Sequence, residues 1–171
     1  MVELIKVLWN ILLRKSDQTA LPNSMFLLFF VFLFYFLSQS ISGLTVSESP
    51  LVFVRSFFVD AILMILFLRI LTQIFSSQDN YIRTLIALFG TGALFNIIVS
   101  PLIIRFADIL SDSDLMESGD LPIWLPLLFF IIAIWSIMVM GHIFSRSMAK
   151  DKLSASPPPI SGVAVALLYM M

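Results

Sequence analysis

Four uninterrupted apolar stretches, at about 25–42, 51–75, 81–105 and 121–147, decide most of what this chain can become. At ~1.5 Å of helical rise per residue, each is long enough, or nearly so, to cross a hydrocarbon core of ~30 Å. Backbone amides in lipid have no water to bond, so runs of this length are satisfied only as helices, and the alternating pattern of a membrane barrel is absent. Composition agrees: of 171 residues, 60% are hydrophobic and 12% charged, with a mean hydropathy of +1.03. That leaves too little polar sequence to cover a single soluble core. The expected fold is all-α: a polytopic helical membrane bundle with four full transmembrane helices and a short fifth hydrophobic segment at 160–171. An N-terminal amphipathic interfacial helix precedes them, so that 1–20 forms that helix and a turn and 21–171 a single transmembrane domain.

The interfacial helix is read from residues 2–15. Glu3, Lys6, Asn10 and Arg14 recur at spacings of three and four and leave Leu4, Ile5, Leu8, Trp9, Leu12 and Leu13 for the remaining surface. Packing of this helix on the protein's own inner face is the alternative. Pro22 then breaks the chain, and Asn23 or Ser24 supplies an N-cap. The first span closes at Ser42 and Gly43; its basic leader and small-residue exit look like a signal peptide, but its length and Phe content mark an uncleaved anchor. Ser49 and Pro50 start the second span, and Pro122 lies at the start of the fourth.

Lysine and arginine set the orientation. Lys6, Arg14 and Lys15 precede the first span, Arg83 follows the second, and Arg146, Lys150 and Lys152 follow the fourth. The alternate loops hold Glu48 on one side and Asp108, Asp112, Asp114, Glu117 and Asp120 on the other. The N-terminus is therefore expected in the cytoplasm and loop 108–120 outside.

Asp60 stands out inside the second span, because a carboxylate in hydrocarbon costs several kcal/mol unless it is protonated, paired or hydrated. At ~100° per residue, Arg55 lies roughly 140° and Arg69 roughly 180° around the helix from it, so neither shares its face, whereas Ser56 and Met64 do. Depth counted along each span puts Gln39 and Asn96 near the same level. Gln39, Asp60 and Asn96 are thus expected to form an intramembrane polar layer. Such a layer either pins helix register through hydrogen bonds or serves as a proton or ion site. His142, the only histidine, falls near the inner end of the fourth span and is a candidate interfacial titrating group. Gly90 and Gly92 read as a close helix-packing contact, since a phosphate-binding loop needs a helix N-terminus and these lie mid-span.

Little else carries chemistry. Cysteine is absent, which removes disulfides, thiol nucleophiles and thiolate metal sites. One histidine, no His-Glu-x-x-His and no Gly-x-Ser-x-Gly leave few ways to build a nucleophile–base pair or a catalytic metal site. Loop 108–120 lacks the EF-hand spacing and reads as a solvated acidic segment. No enzyme activity, metal, cofactor or nucleic-acid partner is expected.

The run Asp79, Asn80, Tyr81, Ile82, Arg83 and Thr84 leading through Gly90 to Ser100, Pro101 and Leu102 resembles the third span of the Yip1-type membrane proteins. Trp135 and Ser136 followed by Gly141 and His142, a basic exit, and then 161–168 are similar to that family's last two spans. The resemblance implies a five-helix bundle with a cytoplasmic N-terminus. Eukaryotic members are associated with Rab-type small GTPases and vesicle traffic through a longer cytoplasmic N-terminal region. With about two dozen residues ahead of its first span, this chain looks more like the short prokaryotic members. A helix over 160–171 rises only ~18 Å, so the tail is either half-inserted and sheltered by protein or cut short.

The expected function is that of an accessory subunit or assembly and scaffold factor of a larger membrane complex. Its partners would be the lipid bilayer and other integral membrane proteins, in a hetero-oligomeric complex or a homo-oligomer. The alternatives are a small transporter or ion-translocating protein using Asp60, and a Yip1-like GTPase-associated trafficking factor.

Overall fold

The computed structural model describes residues 2–75, 77–111, 124–148 and 159–170. Among these residues six α-helices follow one another: α1 Val2–Leu12, α2 Met25–Val46, α3 Pro50–Ile74, α4 Tyr81–Ser111, α5 Trp124–Ser147 and α6 Pro159–Met170. Single 3-10 turns at Gln18–Ala20 and Gln78–Asn80 connect them, and no strand occurs among the described residues. Four of these helices, α2 to α5, are long and apolar enough to cross a membrane. The fold defines an all-α, multi-pass helical membrane protein.

The helix starts follow from local chemistry. The Ser24 hydroxyl accepts from the Leu27 amide and opens α2, and Ser49 does the same for Val52 at the start of α3, with Pro50 in the first turn. Inside the spans, hydroxyls bond back to their own helix. Thr72 donates to the Leu68 carbonyl at 3.0 Å, Thr91 to Ala87 at 2.7 Å and Ser40 to Phe36 at 2.8 Å. A hydroxyl so placed needs no water, which is why these residues are tolerated in hydrocarbon.

The core is aromatic. Phe57 of α3 is 1% exposed and meets Phe32, Tyr35 and Phe36 of α2 at ring-centroid distances of 5.5, 5.6 and 4.8 Å. Phe89 of α4 closes the cluster against Phe32 and Tyr35 at 5.2 and 5.4 Å. Such tilted and edge-on pairs contribute ~0.5–1.5 kcal/mol each beyond their buried area. The outer surface is apolar as well, with Phe26 80% and Leu51 79% exposed, as lipid contact requires.

Several boundaries differ from those read in the sequence. The first span does not close at Ser42 and Gly43 but runs to Val46, with Ser42 buried and the Phe53 ring packed where a Gly43 side chain would be. That glycine serves close approach and not termination. The third span passes Arg105 and carries the helix to Ser111, so 108–111, assigned to the acidic loop, is helical. Pro101 lies within it; the carbonyl one turn earlier loses its amide partner there, while the Ser100 hydroxyl bonds the neighbouring Asn96 carbonyl. The rest of that loop, with Asp112, Asp114, Glu117 and Asp120, and the basic linker with Lys150 and Lys152 lie outside the described residues.

The N-terminal helix packs on the bundle, chiefly on α4 and also on α5. Leu8, Ile11 and Leu12 are buried and Glu3, Lys6 and Asn10 are exposed. Ile5, Trp9 and Leu13 form a second apolar stripe on its outer side. The helix therefore wedges between protein and lipid.

The short C-terminal helix α6 docks on α5 at a glycine pair. A Cβ on Gly162 would run into the Gly141 carbonyl oxygen, and one on Gly141 would lie 2.9 Å from the Val163 backbone. Backbones approach this closely only where both side chains are absent. Gly162→Val is therefore expected to undock α6, measurable as a lower thermal unfolding midpoint in mild detergent. Gly43→Ala, which meets the Phe53 side chain and no backbone, should lower it less; an equal effect would show that the glycine pair is not the lock.

Candidate functional site in the membrane layer

The helical repeat of α3 places Asp60 on the border between a buried stripe, Phe57, Ala61, Met64 and Leu68, and an exposed one, Val59, Ile62, Leu63 and Leu66. Its side chain is half-buried. The Tyr169 hydroxyl on α6 donates to Asp60 Oδ1 at 3.0 Å. Tyr169 is held in turn by its ring, 5.2 Å from Phe67, which packs on Phe144 of α5 at 5.8 Å. The docking of α6 thus delivers the donor to the carboxylate. Tyr35 of α2, wedged between Phe57 and Phe89, is close enough to both Asp60 and Tyr169 to interact with them electrostatically. Two phenols and one carboxylate from three helices form the polar centre of the bundle.

Two spaces adjoin it. On the outside, Asp60, Leu63, Phe67, Leu168 and Tyr169 line an open groove of about 470 Å³ between α3 and α6. On the inside, Tyr35 faces a cavity of about 180 Å³ that also touches Thr91, Asn96 and Ser136. A volume of that size holds several waters at ~30 Å³ each.

Gln39, Asp60 and Asn96 do not join in one hydrogen-bonded layer: among the described residues no hydrogen bond links any two of them. Asp60 bonds Tyr169, while Gln39 Oε1 and Asn96 Nδ2 are buried without a partner. What they share is Tyr35, one turn before Gln39 on α2 and facing the cavity that Asn96 lines. Equal depth placed these groups at one level, but it does not aim them at one another. Gly90 and Gly92 are contact points for side chains. The Leu8 methyls of α1 stand 2.5 and 2.8 Å from where a Gly90 Cβ would be, and the Tyr35 ring stands 2.9 Å from that of Gly92.

His142 lies elsewhere, at the membrane edge. Its Nε2 is 3.3 Å from the Ser16 carbonyl oxygen and 3.6 Å from Asp17 Oδ1, and Arg146 Nε reaches the same carboxylate oxygen at 3.1 Å. These contacts tie α5 to the turn after α1. Among the described residues no group of three or more His, Asp or Glu stands together as metal ligands would.

Sequence reasoning missed Tyr169 and Tyr35. A signal existed, because a phenol in an apolar helix needs a partner. The glycine contact supplies the depth: Gly141 lies ~9 Å above the end of α5 at Ser147, and Tyr169 a further ~10 Å beyond Gly162, close to the ~21 Å that separates Asp60 from the end of α3. Without the glycine pairing, the level of α6 was undefined.

No protein-family model, curated protein or solved structure matches this chain.

Removing the phenol with Tyr169→Phe is expected to lower stability by ~0.6–2 kcal/mol, the range for an interhelical hydrogen bond in a membrane. Titration of the purified protein from mild detergent into sodium dodecyl sulfate reads this directly. Asp60→Asn keeps an acceptor for Tyr169 and should lose less than Asp60→Leu, which strands the hydroxyl; the reverse order would show that the bond does not operate.

Proposed function

We propose that this chain is a non-enzymatic subunit or assembly factor that binds another integral membrane protein through the groove between α3 and α6. The observation that carries this reading is the position of Asp60. Its carboxylate is half-exposed on the outer side of the bundle, about midway along a membrane span, in a groove walled otherwise by Leu63, Phe67, Leu168 and Tyr169. Tyr169 answers only Oδ1; facing lipid tails, the rest of the carboxylate is costly, and a partner helix bringing a donor or cation removes that cost. Leu168, 66% exposed, and Leu63, 55% exposed, give the partner apolar surface on either side. The scarcity of catalytic side chains in the sequence agrees with a role exercised by contact.

The membrane is a bacterial inner membrane in this reading, with the N-terminus cytoplasmic. Support comes from Arg14, Lys15 and Arg146, which gather around one pocket at one end of the bundle, as cytoplasmic ends do.

A photo-crosslinking residue at Leu168 in native membranes is expected to give one discrete protein adduct, lost on Asp60→Leu. Adducts with lipid alone, in wild type and variant alike, would overturn the reading.

The inner cavity favours a second reading, ion translocation. Tyr35 stands between the Asp60 centre and a space large enough for water, mostly apolar but with Thr91, Asn96 and Ser136 in its lining, and an intramembrane carboxylate near such polar groups is a common element of a proton or cation path. In liposomes this predicts a proton or cation flux that Asp60→Asn abolishes; no flux from the wild type, or flux unchanged by the substitution, rejects it.

A further inference from the structure

At the end of the bundle that carries His142, the chain builds a second pocket unconnected with Asp60. It has a volume of about 530 Å³ and is lined by Arg14, Lys15, Asp17, His142 and Arg146 together with Ser16, Thr19 and Ala20. Three fixed cations face one carboxylate there. Asp17 occupies Arg146 through Nε, and a guanidinium has five N–H donors, so one carboxylate contact does not exhaust it. Arg14 and Lys15 enter no ion pair among the described residues.

The backbone at Arg14 supports a role for this cluster. Helix α1 ends with the Arg14 amide bonded to the Ile11 carbonyl and the Lys15 amide to the Asn10 carbonyl, both at 2.8 Å, which is the Schellman closure. Its left-handed position ordinarily takes glycine, yet here Arg14 adopts φ 59°. A long cation held at a strained position, next to a second cation and across from Arg146, fits a site that collects negative charge.

The pocket adjoins an apolar one. Ala20 lines both the basic pocket and a groove of about 460 Å³ between α1 and the start of α2. Leu4, Val7, Leu21, Leu27 and Phe30 wall that groove, and the exposed Glu3 also borders it. A cationic pocket beside an apolar groove, the two sharing Ala20 as a wall at the end of a membrane span, has the two-part chemistry of a phospholipid.

We propose that this site binds one anionic glycerophospholipid, its phosphate group against Arg14, Lys15 and Arg146 and an acyl chain in the groove beside Val7 and Leu27. Lysine and arginine near a membrane surface attract anionic lipid in any case. The proposal is therefore that pocket residues bind one lipid selectively, and that exposed basic residues outside it, such as Lys6, do not contribute.

Native mass spectrometry of the full chain in mild detergent, titrated with dioleoyl phosphatidylglycerol or dioleoyl phosphatidylcholine, tests this. The expected result is one phosphatidylglycerol retained in clear preference to phosphatidylcholine. Lys15→Gln, an exposed side chain without an ion pair, should weaken retention about fivefold, as should Arg146→Gln, while Lys6→Gln leaves it unchanged. Val7→Trp, which fills the groove, should weaken phosphatidylglycerol and leave inorganic phosphate unaffected. Equal loss in Lys6→Gln and Lys15→Gln would reduce the effect to general surface charge and overturn the site. Displacement of phosphatidylglycerol by millimolar inorganic phosphate, with no effect of Val7→Trp, would overturn the lipid assignment in favour of a soluble phosphate.

Discussion

Phe57 is the point at which three membrane helices become one object. In lipid there is no hydrophobic force to bring helices together, since the tails are as apolar as the side chains, and association depends on close packing and hydrogen bonds. Phe57 answers that constraint by meeting rings from α2 on one side while Phe89 of α4 completes the cluster through Phe32 and Tyr35. The Asp60 centre is hung from this knot. Tyr35 is a member of it, and Asp60 follows Phe57 by three residues, so the aromatic packing sets where the phenol and the carboxylate stand.

The second anchor is the glycine pair between α5 and α6. It brings a twelve-residue helix, too short to span by itself, deep enough for Tyr169 to reach Asp60. The two anchors act at different heights and leave different surfaces open. Between α3 and α6 remains a groove with a carboxylate in it; at the other end, where Asp17 gathers His142 and Arg146, remains a basic pocket beside an apolar one. The described residues thus present two distinct faces to their surroundings.

Long apolar runs made the four spans legible, and the serine caps before α2 and α3 made their starts legible. Span ends were harder. Gly43 looks like a terminator because glycine commonly follows a helix, but here it sits within one and admits the Phe53 ring. Helix periodicity likewise gave α1 an apolar face without separating what protein covers from what lipid covers; contact with α4 buries Leu8, Ile11, which the periodicity did not single out, and Leu12, and leaves Ile5, Trp9 and Leu13 outside. Asp60 was legible because charge is rare in hydrocarbon, yet its partner was not, since that partner is 109 residues away on a helix whose depth depends on another contact.

What the sequence determined alone was the material: helices, their approximate spans, the lone intramembrane carboxylate and the end at which basic residues collect. Hydrophobic length and charge bias act through the solvent, so they can be read one segment at a time. Tertiary structure decided the pairings. It gave Asp60 a phenol in place of Gln39 and Asn96, it set Gly90 and Gly92 against Leu8 and Tyr35, and it assembled Arg14, Lys15 and Arg146 around one pocket. Depth is a one-dimensional property of a helix in a membrane, whereas a hydrogen bond or an ion pair also requires rotation and distance, and those are fixed only when the helices pack.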